Sequence, residues 1–112
     1  MYAVKQAELP TDRQLTVAAN VLQLLGDRTR LKILWALATR REESVGELAS
    51  ATGTQPAGVS QHLAKLRLAG LVTTRRDGTR IYYSLVDSHL RSLVREALNH
   101  ADHRLKSLPD HD

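Results

Sequence analysis

The segment SVGELASATGTQPAGVSQHLAKLRLAG, residues 44–70, decides the fold of this 112-residue chain. Ser44 is followed three residues later by Glu47, which is the pattern of a helix-capping box. It predicts a short helix from Val45 to about Ala51. Thr52-Gly53-Thr54 has the composition of a turn and ends this helix.

The second half of the segment predicts a longer helix. Pro56 suits a first helical turn, and Gly70 is typical of the position just after a C-terminus, so we expect the helix to run from about Gln55 to Ala69. Its apolar residues recur at helical spacing and form an inner face: Val59, Leu63, Leu66 and Ala69. A short helix, a tight turn and a longer helix together predict a helix-turn-helix motif.

A β-hairpin is expected directly after this motif. Residues 71–76 and 79–85 are rich in residues that favour strands, and Asp77-Gly78 between them is a strong hairpin signal. The predicted fold class is therefore mainly α with a small β-hairpin, a winged helix-turn-helix.

The flanking sequence supplies further helices around this unit. The first is predicted from Asp12 to Leu25, and the second, apolar nearly all round, from Asp27 to about Thr39. A polar break follows at 40–43, and a last helix is predicted over about 87–106. Residues 1–11 are expected to be a flexible lead, 12–106 the domain, and 107–112 a flexible tail. We expect the N- and C-terminal helices to dimerise, since a second copy would help such a short chain to bury apolar surface.

Composition limits the possible metal ligands and the expected cellular location. The chain has no cysteine, so a bound metal would have to be held by nitrogen and oxygen. No apolar run approaches the length of a membrane span, and the first residues lack the layout of a signal peptide. A cytoplasmic protein with no membrane partner is the simplest expectation.

Positive charge is concentrated in the predicted motif and hairpin. The net charge of the chain is +4, and residues 55–84 alone hold five basic residues and one acid. Polar and basic side chains of the long helix could read base edges in a major groove, while arginines of the hairpin contact phosphate or the minor groove. The candidate residues for binding double-stranded DNA are Gln55, Ser60, Gln61, His62, Lys65, Arg75, Arg76 and Arg80. The plainer alternative is a solvated helix face beside a basic surface loop.

Metal-capable side chains occur at both ends of the last helix. Asp87 and His89 are near its start, and His100 and His103 are near its end. His89 and His100 are about 16 Å apart along the axis at about 1.5 Å per residue, too far to hold one ion within one helix. The midpoints of the pairs 89/100 and 87/103 nearly coincide, so an antiparallel copy would bring the two clusters together twice per dimer. The spacing alone leaves open that these histidines are merely solvated.

A family resemblance adds to these observations. Residues 59–72, VSQHLAKLRLAGLV, with residues 75–83, RRDGTRIYY, and residues 24–34, LLGDRTRLKIL, resemble the recognition helix, the wing and the start of the second helix of the ArsR/SmtB family of winged helix-turn-helix repressors. The resemblance covers roughly residues 15–105. It implies a homodimer that represses operons for metal handling and leaves operator DNA when a divalent transition metal binds.

The resemblance also specifies where metal would bind. The family's cysteine-pair site is absent, because Ser44-Val-Gly46 stands where cysteines would be. The zinc and the nickel or cobalt sensors of this family carry Asp-x-His, ten further residues, and then His-x-x-His or His-x-x-Glu on the last helix. Asp87, His89, His100 and His103 match the His-x-x-His form of this pattern. One Asp and three His suit tetrahedral zinc or cobalt. Nickel or octahedral cobalt would need more ligands, for which His111, or less favourably Asp102, is a candidate.

Other functions remain as alternatives. A repressor of the same fold could respond to another signal, with its last helix used only for dimerisation. A metal buffer without DNA binding would not need the concentrated basic charge. An enzyme is disfavoured, because a closed four-ligand metal site leaves no position for water and the sequence has no nucleophile elbow or phosphate-binding glycine loop.

Overall fold

The structure, a computed structural model, describes residues 8–108 and consists of helices around a small sheet. In chain order the elements are α1 (Asp12–Leu25), α2 (Arg28–Arg40), β1 (Glu42–Ser44), α3 (Val45–Thr52), α4 (Pro56–Leu68), β2 (Val72–Asp77), β3 (Arg80–Leu85) and α5 (Ser88–Ser107). This is the winged helix-turn-helix that the sequence predicted, with α3 and α4 as the motif and β2–β3 as the wing.

Local capping explains where several helices begin. The predicted box at α3 is confirmed: the Glu47 amide donates to Ser44 Oγ at 3.2 Å, and the Ser44 amide donates to Glu47 Oε1 at 2.9 Å. These hydrogen bonds hold the pKa of the Glu47 carboxyl below its usual value. Thr11 forms the equivalent box at α1, and Asp27 Oδ2 accepts from the Arg30 amide at α2.

The core lies where α2, α3, α4 and α5 meet the base of the sheet. Its fully buried side chains include Ile33, Leu34, Leu37, Leu48, Val59, Leu63, Leu66 and Val94. α2, which the sequence showed to be apolar nearly all round, supplies five buried residues, but Trp35 is 37% exposed because it lies on the outer side of that helix. Packing of the inner face of α4 onto α3 and the base of β2 leaves its opposite face in solvent.

The sheet has a strand that the sequence did not predict. β1 pairs with β3, giving the antiparallel order β1-β3-β2 in place of a two-stranded ribbon. Glu42 and Glu43 fall in the polar break predicted at 40–43, and Ser44 is the predicted helix cap, because these three residues show no apolar alternation. Glu43 is nevertheless buried, with Oε1 at 3.3 Å from Arg40 Nη1.

The tip of the wing also differs from the prediction. Asp77 pairs with Arg80, so the two-residue loop is Gly78-Thr79 and not Asp77-Gly78. Gly78 has φ 64, a conformation that primed hairpin turns require at their first position. A tip at Asp77-Gly78 would set Arg75 opposite Arg80, whereas the observed register sets it opposite Tyr82. The observed pairing keeps two like charges from facing each other across the strands.

Candidate nucleic-acid interface and metal centre

Helix α4 presents polar side chains to solvent beside the wing. Gly53, at φ 66, ends α3 and allows the tight turn, and Pro56 stands in the first turn of α4. Because the apolar side of α4 is buried in the core, Gln55, Ser60, Gln61 and Lys65 lie exposed on the other side. The structure thus leaves four of the five predicted α4 residues accessible to a ligand the size of a DNA duplex.

His62 is the fifth, and it is placed differently. It is half-buried and close enough to Asp27 for its charge to help lower the pKa of that carboxyl, after the larger effect of the Arg30 amide hydrogen bond. His62 is therefore less accessible than the other four predicted residues.

The three arginines of the wing lie on two faces of the sheet. Side chains alternate along a strand, and directly paired residues share a face. Arg76 pairs with Ile81, so its side chain lies on the same face of the sheet as Tyr83. Tyr83, together with Ser60 and Arg67, lines a groove between this face and α4. Arg75 and Arg80 share the opposite face with Tyr82.

Arg75 is held by other residues of the chain. Its Nη2 and Nε donate to the Glu42 carboxylate at 2.6 and 3.2 Å, and its guanidinium carbon is 4.9 Å from the centroid of the Tyr82 ring. The pair lowers the pKa of Glu42 and raises that of Arg75. Glu42 and Tyr82 were not among the predicted site residues, and Glu42 could not be, because it is 33 positions away from Arg75 in the chain.

Arg80 lies near the wing tip and is exposed. The Tyr82 hydroxyl, followed by the charge of Glu47, raises the pKa of Arg80 above its ordinary value. Its guanidinium places a positive charge at the outer edge of the wing.

The four predicted metal ligands sit at the two ends of α5. Asp87 is the N-cap, and its Oδ1 accepts from the Leu90 amide at 2.8 Å. His89, His100 and His103 are exposed and fall within about 60° of one another around the axis at about 100° per residue. Because α5 is continuous between them, one copy does not assemble them: residues 8–108 contain no group of three or more metal-capable side chains.

The donor chemistry of these residues fits a divalent transition metal. In α5 the three imidazoles make no hydrogen bond or ion pair to other described residues, and the cap contact of Asp87 uses only Oδ1. Nitrogen and carboxylate oxygen suit zinc, cobalt or nickel. Asp102 is 3.0 Å from Lys106 Nζ in an ion pair, and His111 lies outside the described residues.

Two helices carry apolar side chains that this copy does not cover. In α1 only Leu25 is buried, while Leu15, Val17 and Leu22 are each more than half exposed. In α5, Leu93 is 38% exposed and Ala97 and Ala101 are open to solvent. Leu93 lies about 40° from His89 around the helix, so the apolar strip and the histidines are neighbours.

Comparison with known proteins identifies the class. Residues 25–75 match the family described as "Helix-turn-helix domain". The solved homodimeric winged helix-turn-helix DNA-binding domain Mb0332 from Mycobacterium bovis has a TM-score of 0.76 and 34% identity, covering 92% of this chain and 97% of that one. The chain is a DNA-binding transcriptional regulator and not an enzyme.

Two sequence relatives then give the family. The HTH-type transcriptional regulator KmtR of Mycobacterium tuberculosis is 47% identical over 111 residues, which is 99% of this chain and 85% of KmtR. The transcriptional repressor SmtB homologue of Synechocystis is 39% identical over 95 residues, which is 85% of this chain and 71% of that protein. The chain belongs to the ArsR/SmtB family, as its motifs indicated.

Across residues 8–108, no helix is long and apolar enough to cross a lipid bilayer.

Proposed function

We propose that this chain is a metal-responsive repressor that binds operator DNA as a homodimer and is released when zinc, cobalt or nickel binds at the dimer interface. The observation that carries the proposal is the placement of Asp87 with His89, and of His100 with His103, at opposite ends of one uninterrupted helix. The names of the relatives, among them a cadmium resistance regulatory protein homologue of Staphylococcus aureus, support a link to metals.

The dimer is proposed to form through α1 and α5. Their uncovered apolar side chains, Leu15, Val17 and Leu22 on one helix and Leu93 on the other, are what an obligate interface buries. A two-fold axis near Val94 and Arg95 would run the two α5 helices antiparallel. Asp87 and His89 of each copy would then lie opposite His103 and His100 of the other.

The proposed ligand set is one carboxylate oxygen from Asp87 and one imidazole nitrogen each from His89, His100 and His103. A bound ion would supply a crosslink between subunits, while the chain's own residues fix its geometry. The Leu90 amide orients the Asp87 carboxylate, which leaves Oδ2 for ligation. Imidazoles must be neutral to bind metal, so ligation should weaken in acid. His111 remains a candidate further ligand.

A short series of hydrogen bonds connects this proposed metal site to α4, the helix proposed to read the DNA bases and called the reading helix below. The Asp87 cap fixes the start of α5 through the Leu90 amide, and the preceding Val86 amide donates to the Leu71 carbonyl at 3.0 Å. The Leu71 amide in turn donates to the Leu66 carbonyl, in the last turn of α4, at 2.9 Å. A change in the angle of α5 would therefore reach the C-terminal end of α4 through the Asp87 cap and two backbone hydrogen bonds.

DNA recognition is proposed to use α4 in the major groove and the wing on the backbone. In a dimer, two α4 helices must match successive grooves about 10 base pairs apart. A relative rotation of the subunits imposed through α5 would disturb that spacing. By linkage, metal weakens DNA binding by the same factor as DNA weakens metal binding.

The test is a titration of the metal-free dimer with cobalt(II), followed by its visible spectrum, with and without DNA. Intense ligand-field bands are expected for a four-coordinate site, and weaker bands for a higher coordination number. Affinity for cobalt should fall when DNA is bound. If cobalt did not bind at all, the metal site would be refuted and the alternative would be a repressor that responds to another signal. If cobalt bound the free and the DNA-bound dimer with equal affinity, the coupling between metal binding and DNA binding would be refuted.

A further inference from the structure

The wing contains a contact that changes the role expected of one of its arginines. Glu42 of β1 and Arg75 of β2 form a bidentate ion pair across β3, with donor–acceptor distances of 2.6 and 3.2 Å. Tyr82, which lies between them on β3, covers one face of the same guanidinium at 4.9 Å. Side chains from all three strands thus contact one another on the face of the sheet away from the core.

We propose that Arg75 is a positioning residue that fixes the wing on β1, and that it is not a contact to the DNA backbone. The inference rests on the DNA-binding function proposed above and divides the wing arginines by role. Arg76, on the face shared with Tyr83, and Arg80, at the tip, supply the charge that meets phosphate.

Hydrogen-bond geometry is the first reason. A guanidinium binds phosphate best through two parallel N–H groups on one edge. In Arg75, Nε and Nη2 already serve the Glu42 carboxylate in that bidentate form. A phosphate could take this edge only by displacing a carboxylate that is fixed to the same sheet.

Charge is the second reason. Binding to a polyanion is driven by cationic groups that displace counterions, and an arginine paired with a carboxylate adds no net charge to the surface. Glu42 lies outside the basic segment 55–84 in the sequence but beside Arg75 in space. The wing is therefore less basic than its sequence indicates, by one charge in each copy.

The position of β1 indicates what the Glu42–Arg75 pair does for the wing. β1 leads directly into α3, and α3 supports α4 through the helix-turn-helix. The Glu42–Arg75 pair ties that entry to β2, which carries the wing tip. Loss of the pair should loosen the angle between wing and reading helix while leaving the phosphate contacts in place.

The experiment measures binding to a mixed-sequence duplex of about 30 base pairs over a range of salt concentrations, because the electrostatic contribution does not require the operator. Arg76→Gln is expected to reduce the slope of log K against log salt by roughly 2 per dimer, about 0.9 for each lost phosphate contact. Arg75→Gln should leave the slope unchanged and weaken binding by roughly 2- to 5-fold at every salt concentration.

The matched controls are the double variant Glu42→Gln with Arg75→Gln, which removes the pair without changing the local net charge, and the exchange Glu42→Arg with Arg75→Glu. The double Gln variant should weaken binding by a similar factor with an unchanged slope, whereas loss of a phosphate-binding Arg75 would lower the slope. The exchange should restore wild-type affinity to within about threefold if the pair is what matters. A thermal unfolding curve for each variant verifies that it is folded.

The outcomes separate this inference from the proposed function. A lower slope for Arg75→Gln or for the double Gln variant, or failure of the exchange to restore binding, would each overturn the positioning role while DNA binding stands. Wild-type protein without a salt-dependent affinity for the duplex would instead refute the proposed DNA-binding function, and the inference with it.

Discussion

Asp87 is predicted to hold two separable functions, as helix cap and as metal ligand. Its Oδ1 accepts the Leu90 amide at 2.8 Å, and Oδ2 is the oxygen proposed for the metal. Replacement of an N-cap Asp by Ala costs about 1 kcal/mol, whereas Ser caps almost equally well. For a domain of this size about 1 kcal/mol corresponds to a fall in melting temperature of roughly 4–8 °C.

The two variants Asp87→Ala and Asp87→Ser therefore separate the functions. Both should lose high-affinity cobalt binding, because neither side chain supplies a carboxylate. In metal-free buffer with a chelator, Asp87→Ala should unfold several degrees below wild type, while Asp87→Ser should stay within about 2 °C of it. Circular dichroism at one fixed protein concentration measures this, since the melting temperature of a dimer depends on concentration.

Two results would refute this assignment. If Asp87→Ser bound cobalt as tightly as wild type, the carboxylate would not be a ligand. If Asp87→Ala melted at the same temperature as wild type in the absence of metal, the cap would contribute nothing to stability, and the start of α5 would have to be fixed by other contacts.

Three further predictions concern the dimer, the core and acid stability. Leu93→Glu should shift sedimentation equilibrium toward monomer, because it puts a charge into the proposed α5 interface, whereas Leu68→Glu, at a position 91% exposed on α4, should not. Leu63→Ala should lower the free energy of unfolding by about 2–5 kcal/mol in urea, because the side chain is fully buried, and an unchanged midpoint would contradict the assigned core. Hydrogen bonds to Ser44 lower the pKa of Glu47 in the folded state. The contribution of Glu47 to the free energy of unfolding is therefore complete above the ordinary carboxyl pKa and is lost as pH falls through the lowered pKa. The free energy of unfolding of Glu47→Gln, measured in urea, should depend less on pH below about 5 than that of wild type.

Most of the helical framework could be predicted because its signals are local. The capping box at Ser44 and Glu47 and the glycine at position 70 act over a few residues, and helical periodicity marks the buried side of α4. The predicted and observed ends of α3 and α4 accordingly differ by about one residue. Family membership was likewise evident from the residues of the reading helix and wing.

The errors occurred where distant segments meet. β1 is a strand only because β3 lies beside it, and its residues have no alternation of their own. The wing register moved by one residue in each strand, which kept Arg75 on the same face but exchanged its neighbour from Arg80 to Tyr82. A hairpin signal of two residues does not fix which pair closes the loop.

The sequence by itself thus determined the order of elements, the family and the spacing of Asp87, His89, His100 and His103 along one helix. Only the tertiary structure decided which charges are free. It paired the exposed guanidinium of Arg75 with Glu42, and it left His62 half-buried on α4. The physical reason is that caps and periodicity depend on neighbours in the chain, whereas the availability of a side chain depends on what folding places next to it.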